Sequence, residues 1–512
     1  MTENRAAASK RIAKNTMLLY VRMLFLMAVN LYTSRVVLEA LGVSDFGIYN
    51  VVGGVVAMFA IVSGSLSSAI SRYLTYELGT GRQERLGLIF STSVNILLII
   101  SGIIVILAET AGLWFLNVKM VFPAGRLVSA NWVYQLSIAT FVVNLISLPY
   151  NASIISHEKM SAFAYISILE ALGKLGIAYL IMLSVSDRLV FYAVLMFALA
   201  AIIRLVYTWY CRSHFQECKY RFVIDRPLLR QMFGFAGWNF IGASSSLLRD
   251  QGGNIVINLF YGTVVNAAAG IAMQVRTAIT GFVTNFMTAL NPQITKSYAS
   301  GDYSYMMTLV FQGARLSYYM LLLISLPVLL NTNYLLGLWL TEVPGYAPIF
   351  VQLTLLFALS ESISGPLITA MLATGRIRNY QIIVGGLQML NLPVSYVLLR
   401  NGFSPVWVYI VAVIVSQLCL AARLVMLRGL IKLEVRKYLT KVYFNVILVS
   451  ACALILPGIA RYYMPENFIN FVINVLICVI CTAVAIYVVG CTHVERDFMM
   501  ARLRKVTSRR GA

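Results

Sequence analysis

Eight ionisable side chains lie inside long apolar runs, where their presence needs a physical reason. The cations are Arg22, Lys174, Arg249, Arg276 and Arg315, and the anions are Glu170, Asp250 and Glu361. A charge at mid-bilayer costs about 2.5–3.5 kcal/mol on insertion scales, so each must pair, line a polar cavity or reach the headgroups. The surplus is cationic. That suits an anionic ligand, because guanidinium groups hold phosphate oxygens bidentately. Covalent chemistry has no foothold. His157, His214 and His493 show no metal-ligand spacing, no paired acids stand out, and Cys478 and Cys481 form a CxxC inside a wholly hydrophobic run, where they read as small packing residues.

The residues differ in what they offer. Arg22 has no acid in its run before Glu39, and Asn30 and Thr33 follow it as an expected polar stripe; it reads as cavity lining or as a side chain snorkelling to the headgroups. Arg276 lies mid-run with Gln274 and Asn285, as cavity lining or in an ion pair with Asp250 or Glu361. Arg249 and Asp250 stand in LLRDQGGN. There, Gly252 and Gly253 invite local unwinding of the kind found at transporter sites, with Asp250, Asn254 and Asn258 on one face; an Arg–Asp pair capping a helix end is the alternative. Glu170 and Lys174, spaced i, i+4, can neutralise each other. Glu361 would partner an arginine or carry a coupling proton, and Arg315 reads as snorkelling. The expected ligand-binding set is Arg22, Arg276, Arg249, Lys174, Asn30 and Gln274, with Asp250, Glu361 and Glu170 as coupling groups or charge partners.

The elements that must position these residues follow from composition. The chain has 512 residues, 60% hydrophobic and 12% charged, about half the roughly 25% charged content of soluble domains. A bilayer core of about 30 Å takes about 20 apolar residues per helix. Runs of that kind fall at 15–38, 46–71, 86–116, 129–153, 160–184, 187–211, 231–258, 264–292, 304–330, 348–373, 379–399, 404–428, 440–463 and 467–490. This predicts an all-α integral membrane protein with fourteen transmembrane helices. The net charge of +21 invites a nucleic-acid reading, but the basic residues cluster between the runs. With the N-terminus inside, only Arg35, Lys119, Arg126, Arg188, Arg400 and Arg461 fall outside, so the positive-inside rule places both termini in the cytoplasm. The first run follows a basic start, is too long for a signal sequence and reads as a span.

The chain also resembles itself. Residues 71–86 (SRYLTYELGTGRQERL) match 293–308 (QITKSYASGDYSYMMT), pairing Gly79 with Gly301, and Trp114 pairs with Trp339. Residues 149–165 match 366–380 with a two-residue gap, which gives Glu361 the mate Asn144. The expectation is two six-helix lobes, 1–213 and 214–430, related by a pseudo-twofold axis along the membrane normal, with a site between them. Residues 431–512 add two helices and a basic cytoplasmic tail.

This layout, with the short loop Leu41-Gly42-Val43-Ser44-Asp45-Phe46-Gly47-Ile48-Tyr49, resembles the bacterial polysaccharide flippases of the multidrug/oligosaccharidyl-lipid/polysaccharide exporter superfamily. The resemblance spans the chain. It implies alternating access in the inner membrane, a lipid-linked oligosaccharide as cargo in surface polysaccharide and lipopolysaccharide synthesis, and a groove for the lipid tail at the last two helices. Membrane lipid and other polysaccharide-assembly membrane proteins would be its partners, and a monomer is expected, with no nucleic acid and no cofactor; a coupling ion, H+ or Na+, stays open. A cation-coupled multidrug exporter of the same fold is the alternative, and a membrane glycosyltransferase a third that lacks the acids such enzymes use.

Overall fold

The computed structural model describes residues 2–496 apart from 58, 119–124, 185–186, 224, 341–342 and 493–494. The basic tail beyond 496, Lys119 and His493 therefore lie outside the described residues. The described chain is helical, with no strand. In order it runs α1 Thr2–Ala57, α2 Ala60–Thr80, α3 Gln83–Val118, α4 Leu127–Ser156, α5 Met160–Leu183, α6 Arg188–His214 and α7 Arg226–Ala299. Then follow α8 Tyr303–Leu330, a short helix Thr332–Trp339 left unnumbered, α9 Ala347–Ser362, α10 Gly365–Thr374, α11 Arg378–Arg400, α12 Val406–Ile431, α13 Val435–Tyr463 and α14 Phe468–Gly490.

Among the described residues, ten helices are long and apolar enough to cross a membrane, and α9 with α10, bent by 42°, forms an eleventh broken span. The other three expected runs, 46–71, 231–258 and 264–292, are helical over most of their described length but are not among the helices that are both long and apolar enough; the first is interrupted between Ala57 and Ala60. Two of them form the arms of α7, which carry Arg249, Asp250 and Arg276 among Gly, Ser and Asn. Fourteen spans remain compatible with this count.

The helices pack into two compact units. One is Met1–Ser244 with Thr288–Asp302, and the other is Ser245–Met287 with Tyr303–Ala512. In the first, Val52, Leu116, Val133, Tyr134 and Leu189 form one buried cluster, and Phe90, Tyr150, Ile154, Ile203 and Tyr207 form another. In the second, α9 packs against α8 and α12, and Leu321 and Leu322 of α8, Phe350 and Val351 of α9 and Leu424 of α12 are buried. Helix α14 lies against α8 and α13, and a buried amide pair ties it there, Asn331 Nδ2 donating to Asn474 Oδ1 at 2.8 Å.

Polar loop contacts fasten the first unit at both ends. Asp187 caps α6 by accepting from the Leu189 N–H at 3.0 Å. Arg126 bridges it, at 2.9 Å, to Asp45 of the α1 loop motif. At the other end His157 meets Glu217 at 2.5 Å and stacks on Phe215 with ring centroids 4.2 Å apart. Burial would raise the Glu217 carboxyl, but the hydrogen bond and charge of His157 and a backbone N–H hold it below the usual carboxylate range.

Two glycine breaks give the internal repeat a backbone signature. Helix α1 breaks at Gly42 (φ 75°, ψ 166°) and α7 at Gly262 (φ 75°, ψ −170°). The turn glycines that share a conformation are Gly81 and Gly301, at φ 74° and 77°; the backbone thus pairs Gly301 with Gly81 rather than with Gly79. A Cβ at Gly42 or Gly262 would meet nothing within 4 Å, so alanine there tests backbone strain alone. Gly42→Ala and Gly262→Ala should each destabilise by about 1–3 kcal/mol, read as a lowered Tm of the purified protein in detergent. Because the Glu217 value is lowered on folding, its contribution is complete above about pH 4.3 and is lost as pH falls through the folded value. Glu217→Gln should flatten that acid limb in a Tm-versus-pH series.

Candidate cation sites within the two units

In the second unit, the break at Gly262 lets both arms of α7 contribute to one pocket. Asp250 accepts from Arg249 Nε at 3.0 Å and from Arg276 Nη2 at 2.8 Å. Both guanidinium carbons lie over the Phe357 ring, 4.9 and 5.4 Å from its centroid. Asn254, Asn391, Ser395 and Tyr409 complete the polar lining. The triad carries one net positive charge. Expected unwinding at Gly252-Gly253 is absent, and the helix continues through both. Their smallness serves packing instead: a Cβ on Gly252 would lie 2.5 Å from Leu392 Cδ1, and on Gly253 3.2 Å from Val408 Cγ1. Asn258 and Gln274 are exposed and do not line the pocket.

Glu361 finds an arginine that the sequence reading passed over. Arg423 of α12, 1% exposed, lies 3.6 Å from it. Arg423 sits near the end of its run and looks like a headgroup contact in sequence, whereas the fold buries it beside the α9–α10 bend. Tyr438 closes that bend by donating to the Ile363 carbonyl at 2.8 Å. Arg315 does not snorkel: it is buried, donating to the Gly490 carbonyl at 2.9 Å and to Glu495 at 2.7 Å. Thus α8 is pinned to the end of α14.

The first unit is different. Glu170 and Lys174 pair with each other at 2.6 Å, both more than a third exposed. Arg22 has no ion-pair partner among the described residues; its guanidinium lies over the Phe163 ring, 4.3 Å from the centroid, and its Nε is buried without an acceptor. Arg204 of α6, also missed in sequence, repeats this arrangement over Tyr150 at 4.2 Å, with Nη1 buried and unpartnered. Tyr150 belongs to the aromatic cluster against which Phe163 packs, so both arginines rest on one aromatic shelf. The criterion that selects Arg22, a charge two turns inside an apolar run, selects Arg204 equally. The expected stripe splits. Thr33 is buried but Asn30 is exposed, because eight residues turn a helix about 80° off the starting face and eleven only about 20°. No group of His, Cys, Asp and Glu among the described residues could hold a metal ion.

A family model described as polysaccharide biosynthesis protein matches residues 12–298. No match was found among curated proteins. Solved structures match over most of both chains. A point mutant of a MATE protein is 12% identical, covering 83% of this chain and 97% of that one at a TM-score of 0.72. An outward-facing multidrug resistance MATE family transporter of the MOP superfamily is 12% identical, covering 83% and 96% at 0.71. A MOP superfamily transporter from Pyrococcus furiosus, described as having a binding pocket of reverse polarity, is 13% identical, covering 83% and 96% at 0.67. At these identities the structures establish the fold. With the family model matching more than half of its length, the chain belongs to the polysaccharide biosynthesis protein family, and it shares the fold of these MATE and MOP superfamily structures.

Proposed function

We propose that this protein is a flippase for polyprenyl-diphosphate-linked oligosaccharide, moving it from the cytoplasmic to the outer leaflet of the bacterial inner membrane for surface polysaccharide synthesis. The single observation that carries this is the aromatic shelf of the first unit. Arg22 and Arg204 each present a guanidinium held on a ring face, with a buried N–H lacking an acceptor. A buried unsatisfied donor costs about 1–3 kcal/mol, more when charged, and a diphosphate would supply the missing acceptors. Chemistry in the covalent sense is not needed; the groups bind and release. The basic-residue asymmetry supports cytoplasmic termini.

A cation-coupled multidrug exporter is the second reading, favoured by the fold's likeness to multidrug MATE structures. It wants a carboxylate free to meet a cation. Asp250 is engaged by two arginines and Glu361 by one, which favours the anionic cargo.

Arg22→Ala and Arg204→Ala should each cut surface polysaccharide at least about tenfold, the equivalent of about 1.4 kcal/mol of lost binding, at normal protein levels in membranes. Normal output from both would overturn the flippase assignment, as would resistance to cationic dyes on overexpression without any polysaccharide defect. A paired substitution separates structure from coupling at Glu361. Glu361→Gln alone strands a buried Arg423 charge and should cost about 3–5 kcal/mol. Adding Arg423→Leu should restore both Tm and transport if the pair is structural; restored Tm without transport would identify Glu361 as the coupling group.

A further inference from the structure

Glu158 occupies a backbone conformation unsuited to its type. It stands in the turn between α4 and α5 at φ 59°, the left-handed region. Its equivalent in the second repeat, by the match of 149–165 with 366–380, is Gly375 at φ 73°. A Cβ there crowds the following carbonyl oxygen, and backbone strain of this kind concentrates at functional and switch positions. The side chain shows what the strain supports.

Its carboxylate is 1% exposed and receives three side chains. Lys296 Nζ lies at 2.7 Å, Arg11 Nε at 2.7 Å and Gln293 Nε2 at 2.6 Å. Asn15 Nδ2 also donates to the Glu158 carbonyl at 3.3 Å. The donors come from the start of α1 and the last turns of α7, remote in sequence from each other and from the turn. Around this knot the packing is tight. A Cβ on Gly79 of α2 would lie 2.7 Å from the Lys296 carbonyl oxygen and 2.8 Å from Ala299 Cβ, and Ala289 of α7 is buried against Leu19 and Met160.

The segments meeting here are the two repeat-related ones, 71–86 and 293–308. The last turns of α7 belong to the second repeat by sequence, yet pack with the first unit. Within that unit Glu158 joins those turns to the α4–α5 turn, so a movement that parted them would have to break its contacts.

We propose that Glu158 is a latch on the end assigned to the cytoplasm, an internal carboxylate occupying an anion site built by Arg11, Lys296 and Gln293, and that a phosphate group releases the latch by taking over those donors. A diphosphate brings more acceptor oxygens and more charge than one carboxylate. The latch rests on geometry alone; the identity of the releasing anion rests on the lipid-diphosphate reading.

The test is the reactivity of Ala289→Cys with an impermeant maleimide in inside-out vesicles, the seven native cysteines having been replaced. Glu158→Gln and Glu158→Gly should label about tenfold faster than the parent, as a shifted closed–open equilibrium requires. Glycine relieves the left-handed backbone strain, which offsets part of the cost of leaving Lys296 and Gln293 without their acceptor; a cooperative melt with a Tm no lower than that of Glu158→Gln shows that the fold is kept. Gly79→Ala, which forces α2 away from α7 without touching Glu158, should accelerate labelling as well. Parent-like rates in Glu158→Gly would overturn the latch. Inorganic pyrophosphate should accelerate the parent and leave Glu158→Gly unchanged, with sodium chloride at equal ionic strength inert. If polyprenyl diphosphate in the vesicle membrane acts where soluble pyrophosphate does not, the releasing anion is the lipid-linked one. A parent insensitive to both, beside a fast Glu158→Gly, would overturn release by phosphate while the latch stands.

Discussion

The cost of placing charge in a medium without water governs this molecule. Every ionisable group drawn into the helical core has to be neutralised, screened by a ring or given a polar cavity, and the two units meet that demand differently. The second unit pairs its charges: Arg249 and Arg276 share Asp250, Arg423 has Glu361, and Arg315 has Glu495. The first unit leaves Arg22 and Arg204 on aromatic faces with donors unspent. Ring quadrupoles attract a cation with about 2 kcal/mol or more when desolvated, enough to hold a guanidinium in place without satisfying its hydrogen bonds. The contrast lies in counter-ions: Arg315 Nε and Arg423 Nε and Nη1 are also buried without acceptors, but those two side chains each face a carboxylate, whereas Arg22 and Arg204 face rings.

The same constraint explains the polar arms of α7. The arms of α7 carry the triad and the small residues that let neighbours approach, so they are polar because they face protein and cavity rather than lipid. A bilayer tolerates such segments when their polar groups are enclosed. The broken α9–α10 span obeys the same rule, with Tyr438 supplying a donor to a carbonyl freed by the bend.

Much of this was legible in the sequence, for physical reasons. Apolar runs announce spans because the bilayer fixes their length. The Arg276–Asp250 pair was among the readings open at those residues, since two opposite charges buried in neighbouring runs have strong cause to meet. Arg423 and Arg204 were harder, because distance from a run's end does not reveal depth or the face a side chain takes. Gly252-Gly253 misled because one residue type serves both unwinding and close packing, and only the neighbouring Leu392 and Val408 decide between them. Glu158 was hidden in a charged turn, His-Glu-Lys, that reads as ordinary headgroup-level polarity. Its signal was the alignment of a glutamate opposite a glycine, which acquires meaning only once both are known to have positive φ.

Gly42 and Gly262 carry a further implication, one of ancestry. Two glycines that break their helices with nearly the same dihedral angles, in segments with little residue identity, are what duplication of a single six-helix ancestor would leave behind. The kink then predates the fusion, as does the left-handed turn now held by Gly375 and Glu158. The turn itself is matched in conformation but not in side chain: glycine in one copy and glutamate in the other hold the same positive φ. A single chain, unlike a pair of identical subunits, can carry a carboxylate at one such turn and leave the other bare.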